Sequence, residues 1–187
     1  PSLPANTSTR VAMAQTNSAP AADLTAAVER ARLHRDFLRG LRDIYQETDQ
    51  AAGRLGAVCL GGGACCRFDL AGHRLYLSTG ELAILTEAPP PMPLASGRCP
   101  YQVGPRCRAY GRRAVGCRAY FCKSDRSGRE RLSEAAHGQV RRAHEEFAIP
   151  YRYVELTAGL EALGVRCPRE PSDSGCTAKP AVLRTRC

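Results

Sequence analysis

The sequence predicts a small single domain of the α+β kind, mainly α with a short β-hairpin and a loop-rich core of cysteines. Three observations predict it. Apolar residues recur at helical spacing in two long stretches, one on each side of the middle of the chain. Between them lies one short stretch where apolar residues alternate, as paired strands require. The same middle region holds seven of the ten cysteines. At 187 residues the chain is long enough for an ordinary domain with its own core. Its cysteines are therefore not needed in place of a core, and their number requires a chemical reason.

Residues 1–22 are rich in Ser, Thr, Asn, Ala and Pro and show no clear period. They cannot bury enough apolar surface to offset the entropy of ordering, so a disordered tail is expected. From Asp23 the pattern changes. Leu24, Val28, Ala31, His34, Leu38, Leu41 and Tyr45 fall on one face of a helix over 23–52, with Asp23 or Thr25 as N-cap. Gly53 and Gly56 mark its end. His34 near this stripe reads as a core or boundary residue.

The segment 67–78, "RFDLAGHRLYLS", reads as two short strands turning near Ala71-Gly72. Ser78 or Thr79, followed by Glu81, reads as the capped start of a short helix. The proline-rich stretch 88–97 reads as a loop, because proline cannot donate to a ladder. Loops then carry Cys99, Cys107, Cys117 and Cys122. From about Ser127 a second helix presents Leu132, Ala136, Val140, Ala143 and Phe147 on one face. Pro150 interrupts it, a helix restarts over 151–163, and Gly164 stops it. The expected organisation is thus a tail at 1–22, a cysteine-cluster domain at 23–165 and a flexible tail at 166–187. Within the domain lie the helix 23–52, the cysteine core 57–125 and a helical part at 127–165.

Composition narrows the function classes. The chain is 43% hydrophobic and 24% charged, as soluble globular proteins are. No apolar run approaches the length of a membrane span. No compact apolar segment follows a basic start, so no signal peptide is read and a cytoplasmic protein is expected. The net charge is +9, carried almost wholly by arginine. A nucleic-acid surface is one reading of that charge, and a solvated arginine-rich surface is the favoured one.

Three chemistries compete for the cysteines. A disulfide framework is disfavoured, because seven of them cluster and Cys65-Cys66 are adjacent. A catalytic cysteine needs a neighbouring base or cation, and His73 is the nearest histidine in sequence. His73 also reads as a hairpin surface residue, a metal ligand or a partner to one. His137 and His144 share a helical face and read as core-edge residues. Metal is the better account, since thiolate suits zinc and iron–sulfur clusters. The gaps Cys59-x5-Cys65-Cys66 and Cys99-x7-Cys107-x9-Cys117-x4-Cys122 contain no C-x2-C knuckle. Seven thiols also exceed the four that one zinc or one [4Fe–4S] cluster needs. Arg67, Arg98, Arg106, Arg108, Arg112, Arg113 and Arg118 lie close in sequence and would balance thiolate charge.

The stretches "CLGGGACCRF", "GHRLYLSTGELAIL", "CPYQVGPRC", "GCRAYFC" and "IPYRYVEL" together resemble the bacterial YkgJ-like cysteine-cluster family, the CxxCxxCC family. That family is described as a zinc- or iron-chelating domain, and the likeness covers about residues 57–156. Carried onto this chain, the resemblance implies the metal ligands Cys59, Cys65, Cys66, Cys99, Cys107, Cys117 and Cys122. Two departures stand out: Gly62 replaces the family's second cysteine, and Arg113-Ala114 replaces an Arg-Pro pair. Cys167, Cys176 and Cys187 lie outside the likeness and receive no metal role. A related cluster occurs in flagellin lysine methylases. "LGGGA" at 60–64 reads as a ligand loop and not as a phosphate cradle. The expected function is a metal-binding protein, holding an iron–sulfur cluster or zinc in a metal-organised core. The alternatives are an iron–sulfur-dependent enzyme modifying a protein or peptide, and a zinc-stabilised basic nucleic-acid-binding module. The expected partner is the metal ion or cluster; any protein or peptide substrate is left unnamed.

Overall fold

A computed structural model describes residues 19–57, 62–95, 97–121 and 125–167. The expected tail at 1–22 lies outside them up to residue 18, and the tail at 166–187 from residue 168 on.

The helix predicted over 23–52 is two helices. α1 spans Ala19–Leu33 and α2 spans Arg35–Arg54. His34 separates them with φ −99° and ψ 86°, and its Nδ1 accepts the Phe37 N–H at 3.3 Å. The break resets the helical phase. Leu24, Val28 and Ala31 are buried on α1, whereas Phe37, Leu41, Tyr45 and Ala52 are buried on α2. Phe37 thus takes the core position that an unbroken helix would give to Leu38. His34 is a cap at the core boundary, edge-on to Phe147 at 5.0 Å.

The hairpin expected at 67–78 lies elsewhere. Phe68–Ala71 forms one helical turn, α3, closed by Gly72 at φ +64°. Strand β1, Tyr76–Ser78, pairs antiparallel with the remote strand β4, Tyr153–Glu155, in the register Tyr76↔Glu155. The alternation of Leu75 and Leu77 is real, but its partner comes from the far end of the domain. A short hairpin does exist further on. It joins β2, Gln102–Val103, to β3, Arg106–Cys107, through Gly104 at φ +58°.

Helix α4, Thr79–Leu85, starts in the predicted capping box. Ser78 Oγ accepts the Glu81 N–H at 3.3 Å, and Glu81 Oε2 accepts the Ser78 N–H at 2.8 Å. Its residues are buried throughout, so α4 is the central helix of the core. Glu81 also ties it to the short helix α5, Val115–Arg118, by accepting the Val115 N–H at 2.9 Å. Helix α6, Arg126–Glu146, turns Ala136, Val140, Ala143 and His144 inward. The restart predicted over 151–163 comes at Leu156, because 153–155 are the β4 strand; α7 is Leu156–Ala162, followed by Gly164 at φ +65°. Among the described residues the chain is therefore mainly helical with two small two-stranded sheets, the α+β domain that was expected. No helix among them is long and apolar enough to cross a membrane.

Candidate functional site

Backbone and side-chain hydrogen bonds position three cysteine-bearing segments. The Cys99 N–H donates to the Cys66 carbonyl and the Asp69 N–H to the Gly97 carbonyl, both at 2.9 Å. Segment 97–99 thus lies along 66–69. Gln102 Nε2 donates to the Gly63 carbonyl at 3.0 Å. Gly63 has φ +70°, and a Cβ there would stand 2.4 Å from Gln102 Nε2 and 2.9 Å from the Pro105 carbonyl oxygen. Glycine is required at 63 on both counts. The third segment, α5 with Cys117, is set by the bond from Val115 to Glu81.

Arg118 holds the loop before α5. Its guanidinium is buried, with Nε donating to the Arg113 carbonyl at 2.8 Å and Nη2 to the Gly111 carbonyl at 2.7 Å. Nη1 pairs with Asp49 on α2, and the group lies over the Tyr45 ring at 4.4 Å. Arg118 is thus a structural clamp, not a partner to a thiolate. Its loop in turn places Arg113, whose guanidinium lies 3.7 Å from the centre of the Tyr110 ring.

These segments, with β1 and β4, enclose a cavity of about 730 Å³. Cys65, Cys66, Cys99, Cys107 and Cys117 all line it. Cys59 and Cys122, also expected as ligands, lie outside the described residues. Cys167, given no role, donates its thiol to the Pro91 carbonyl at 3.3 Å, away from the cavity lining.

The expected metal function is corrected by this geometry. Among the described residues no three His, Cys, Asp or Glu side chains form a group that could hold a metal ion. The described donor set does not fit zinc or an iron–sulfur cluster. The expectations of a metal-holding protein, an iron–sulfur enzyme and a zinc-stabilised nucleic-acid module fall together.

Four of the five thiols, those of Cys65, Cys66, Cys107 and Cys117, are held above the ordinary thiol range. Hydrogen bonding with Cys66, then burial, raises the Cys65 thiol above its ordinary range. At Cys66 the bond with Cys65 acts downward, but the bond with Cys99 and burial outweigh it and push the thiol up to about 12. Burial, then the neighbouring Cys66, raises Cys117 to about 12, and burial raises Cys107. A thiol raised in this way is a poor nucleophile, so none of these four has the character of a catalytic cysteine. These four and Cys99 form part of the cavity wall.

Sequence reasoning missed much of the rest of the wall. Tyr76, Tyr110, Tyr120 and Tyr153 line the cavity and remain partly exposed. A signal was present: Arg-Ala-Tyr occurs twice, at 108–110 and 118–120. His73 lies on the cavity wall as well. It stacks on Tyr120 at 5.4 Å and meets Phe68 edge-on at 5.3 Å, and its shielded Nδ1 has no partner among the described residues. His137 also lines the cavity. Its Nδ1 lies 2.8 Å from the Ser133 carbonyl, which assigns the proton to Nδ1 and leaves Nε2 to accept from the Tyr153 hydroxyl at 3.3 Å. His144 is a core residue, away from the cavity: Nδ1 faces the Ile149 carbonyl at 3.1 Å and Nε2 accepts the Gly80 N–H at 3.3 Å.

The cavity is cationic at its rim and apolar within. Arg74, Arg106 and Arg113 line it, no Asp or Glu does, and none of the three forms an ion pair among the described residues. Phe68, Leu75, Leu77, Leu85 and Leu156 form deeper wall. Such a cavity can take an apolar body and neutralise a negative end.

No family model matches the chain, and neither a curated protein nor a solved structure matches it.

Proposed function

We propose that this protein binds a small organic anion with an apolar body. One observation carries the reading: a cavity of about 730 Å³ lined by three arginines, by apolar side chains and by no acid. Its size lies within the roughly 300–1,000 Å³ of small-molecule sites. The Cys66 and Cys117 thiols, both pushed up to about 12, add no negative charge beside the arginines.

Anion selectivity is tested with matched probes in equilibrium dialysis: 2-naphthoate against 2-naphthamide, and decanoate against decanamide. A charge-assisted bond contributes about 1.5–3 kcal/mol, so at least one carboxylate should bind roughly tenfold or more tighter than its amide. Arg113→Gln and Arg74→Gln should each weaken that carboxylate and leave the amide unchanged. Amides that bind as well as the acids, or no binding by either acid, would sink the reading.

Kinship with the YkgJ-like family stays part of the proposal, supported by the quoted cysteine motifs and by the cavity that five of those cysteines share. The six described cysteines are all free thiols, which supports a reducing compartment, the cytoplasm, as the place of action.

A further inference from the structure

The tyrosines of the cavity are ordered, and their order narrows the ligand. Tyr151, Tyr153 and Tyr76 form a column of near-parallel rings. Tyr151 and Tyr153 are 6.2 Å apart at 10°, and Tyr153 and Tyr76 are 5.6 Å apart at 23°. Arg141 lies over the Tyr151 ring, 5.2 Å from its centre. His137 holds Tyr153 edge-on at 5.9 Å and accepts its hydroxyl proton in a hydrogen bond. Tyr76 ends the column, lines the cavity and is 41% exposed. Its backbone is pinned in β1, opposite Glu155.

An exposed ring held in this way by a strand and a stacked neighbour loses little freedom when another flat ring joins it. The large apolar side chains left exposed point the same way. Among the described residues seven are exposed; the four tyrosines among them all line this cavity, while Leu33, Leu55 and Leu70 do not. A cavity built only for an aliphatic chain has no use for four partly wet aromatic faces. Resting on the anion reading above, we infer that the ligand is a planar aromatic anion, its ring continuing the column at Tyr76 and its charge meeting the arginine rim.

The experiment compares 2-naphthoate with decanoate, two carboxylates of equal charge, on the full chain. The chain has seven tyrosines and no tryptophan, so quenching of tyrosine fluorescence reports ring contact directly. Naphthoate should bind about tenfold tighter than decanoate and quench the tyrosines. Tyr76→Leu should cut naphthoate affinity about tenfold and change decanoate affinity less than about twofold. Tyr76→Phe keeps the ring and should keep naphthoate binding, which separates stacking from a general loss of structure. Decanoate binding as tightly as naphthoate, or Tyr76→Phe losing as much as Tyr76→Leu, overturns the aromatic inference and leaves the anion reading standing. Failure of both acids to bind removes both.

Discussion

Arg118 shows how one side chain can carry a loop. Its three donor groups meet two carbonyls and Asp49, and its exposure is only 4%. Removing it takes the guanidinium away from the partly buried Arg113 and Gly111 carbonyls, while half-exposed Asp49 can turn to water. Arg118→Ala should therefore cost about 2–4 kcal/mol, and Arg118→Lys should recover a minor part, since an ammonium cannot span both carbonyls and the carboxylate. Urea denaturation measures both, and a loss under about 1 kcal/mol for Arg118→Ala contradicts the clamp. His144 has the opposite character, a buried group that must stay neutral. Burial holds its imidazole below the ordinary value of 6.5. Protonation would also end the acceptance of the Gly80 N–H. The unfolded chain binds that proton first, so the stability from this residue is present above about pH 6.5 and is lost as pH falls toward the lower folded value. The stability gap between the native chain and His144→Gln should be widest near pH 7.5 and narrower near pH 5, measured by the same denaturation. A gap that does not change with pH would mean that the buried imidazole does not titrate in this range.

Helix α4 is the element on which the others converge. Its capping box sets its start, and Glu81 links it to α5. It approaches α2 so closely that a Cβ on Gly80 would stand 2.5 Å from Leu41 Cδ1 and 2.6 Å from Phe37 Cζ. Glycine normally weakens a helix interior, and here close packing outweighs propensity. Gly80→Ala should destabilise the protein by about 1–3 kcal/mol, the usual cost of overpacking, despite alanine's better propensity. Thermal melting decides it, and a raised melting temperature would show that α2 can move aside. Gly40 on α2 is the control, because a Cβ there meets nothing within 4 Å. Gly40→Ala should be neutral or slightly stabilising.

The cavity is a property of the whole molecule. Its walls come from the turn at Ala64–Cys66, from β1, from the β2–β3 hairpin, from α5, from α6 and from β4. None of these pieces encloses space alone. A ligand that fits all of them should bind only the folded chain and should resist its unfolding. At a hundredfold excess over its dissociation constant, 2-naphthoate should add about 2.7 kcal/mol to stability. The gain should shrink as salt is raised, because the arginine rim is partly exposed to solvent. A melting temperature unchanged by saturating naphthoate would count against a site assembled from distant segments.

Local information was legible in the sequence wherever the physics was local. The α6 stripe, the capping box at Ser78 and Glu81 and the stop at Gly164 depend on neighbours within a turn, and they stand where periodicity and capping rules place them. Part of the site was legible too: the cysteine stretches do line one cavity. What the sequence alone could not decide was pairing across distance. Leu75 and Leu77 alternate as strand residues do, but nothing near them says that β4 is the partner, so a local hairpin was the natural reading. A single hydrogen-bonding side chain, His34, breaks a stripe that runs on without pause in the sequence. The direction of each thiol was likewise set by remote contacts: Cys99 against the backbone of Cys66, Gly63 under Gln102, and α5 hung from Glu81. Spacing counts thiols but cannot aim them, and only the tertiary fold turned five of them into the wall of a cationic, tyrosine-rimmed cavity.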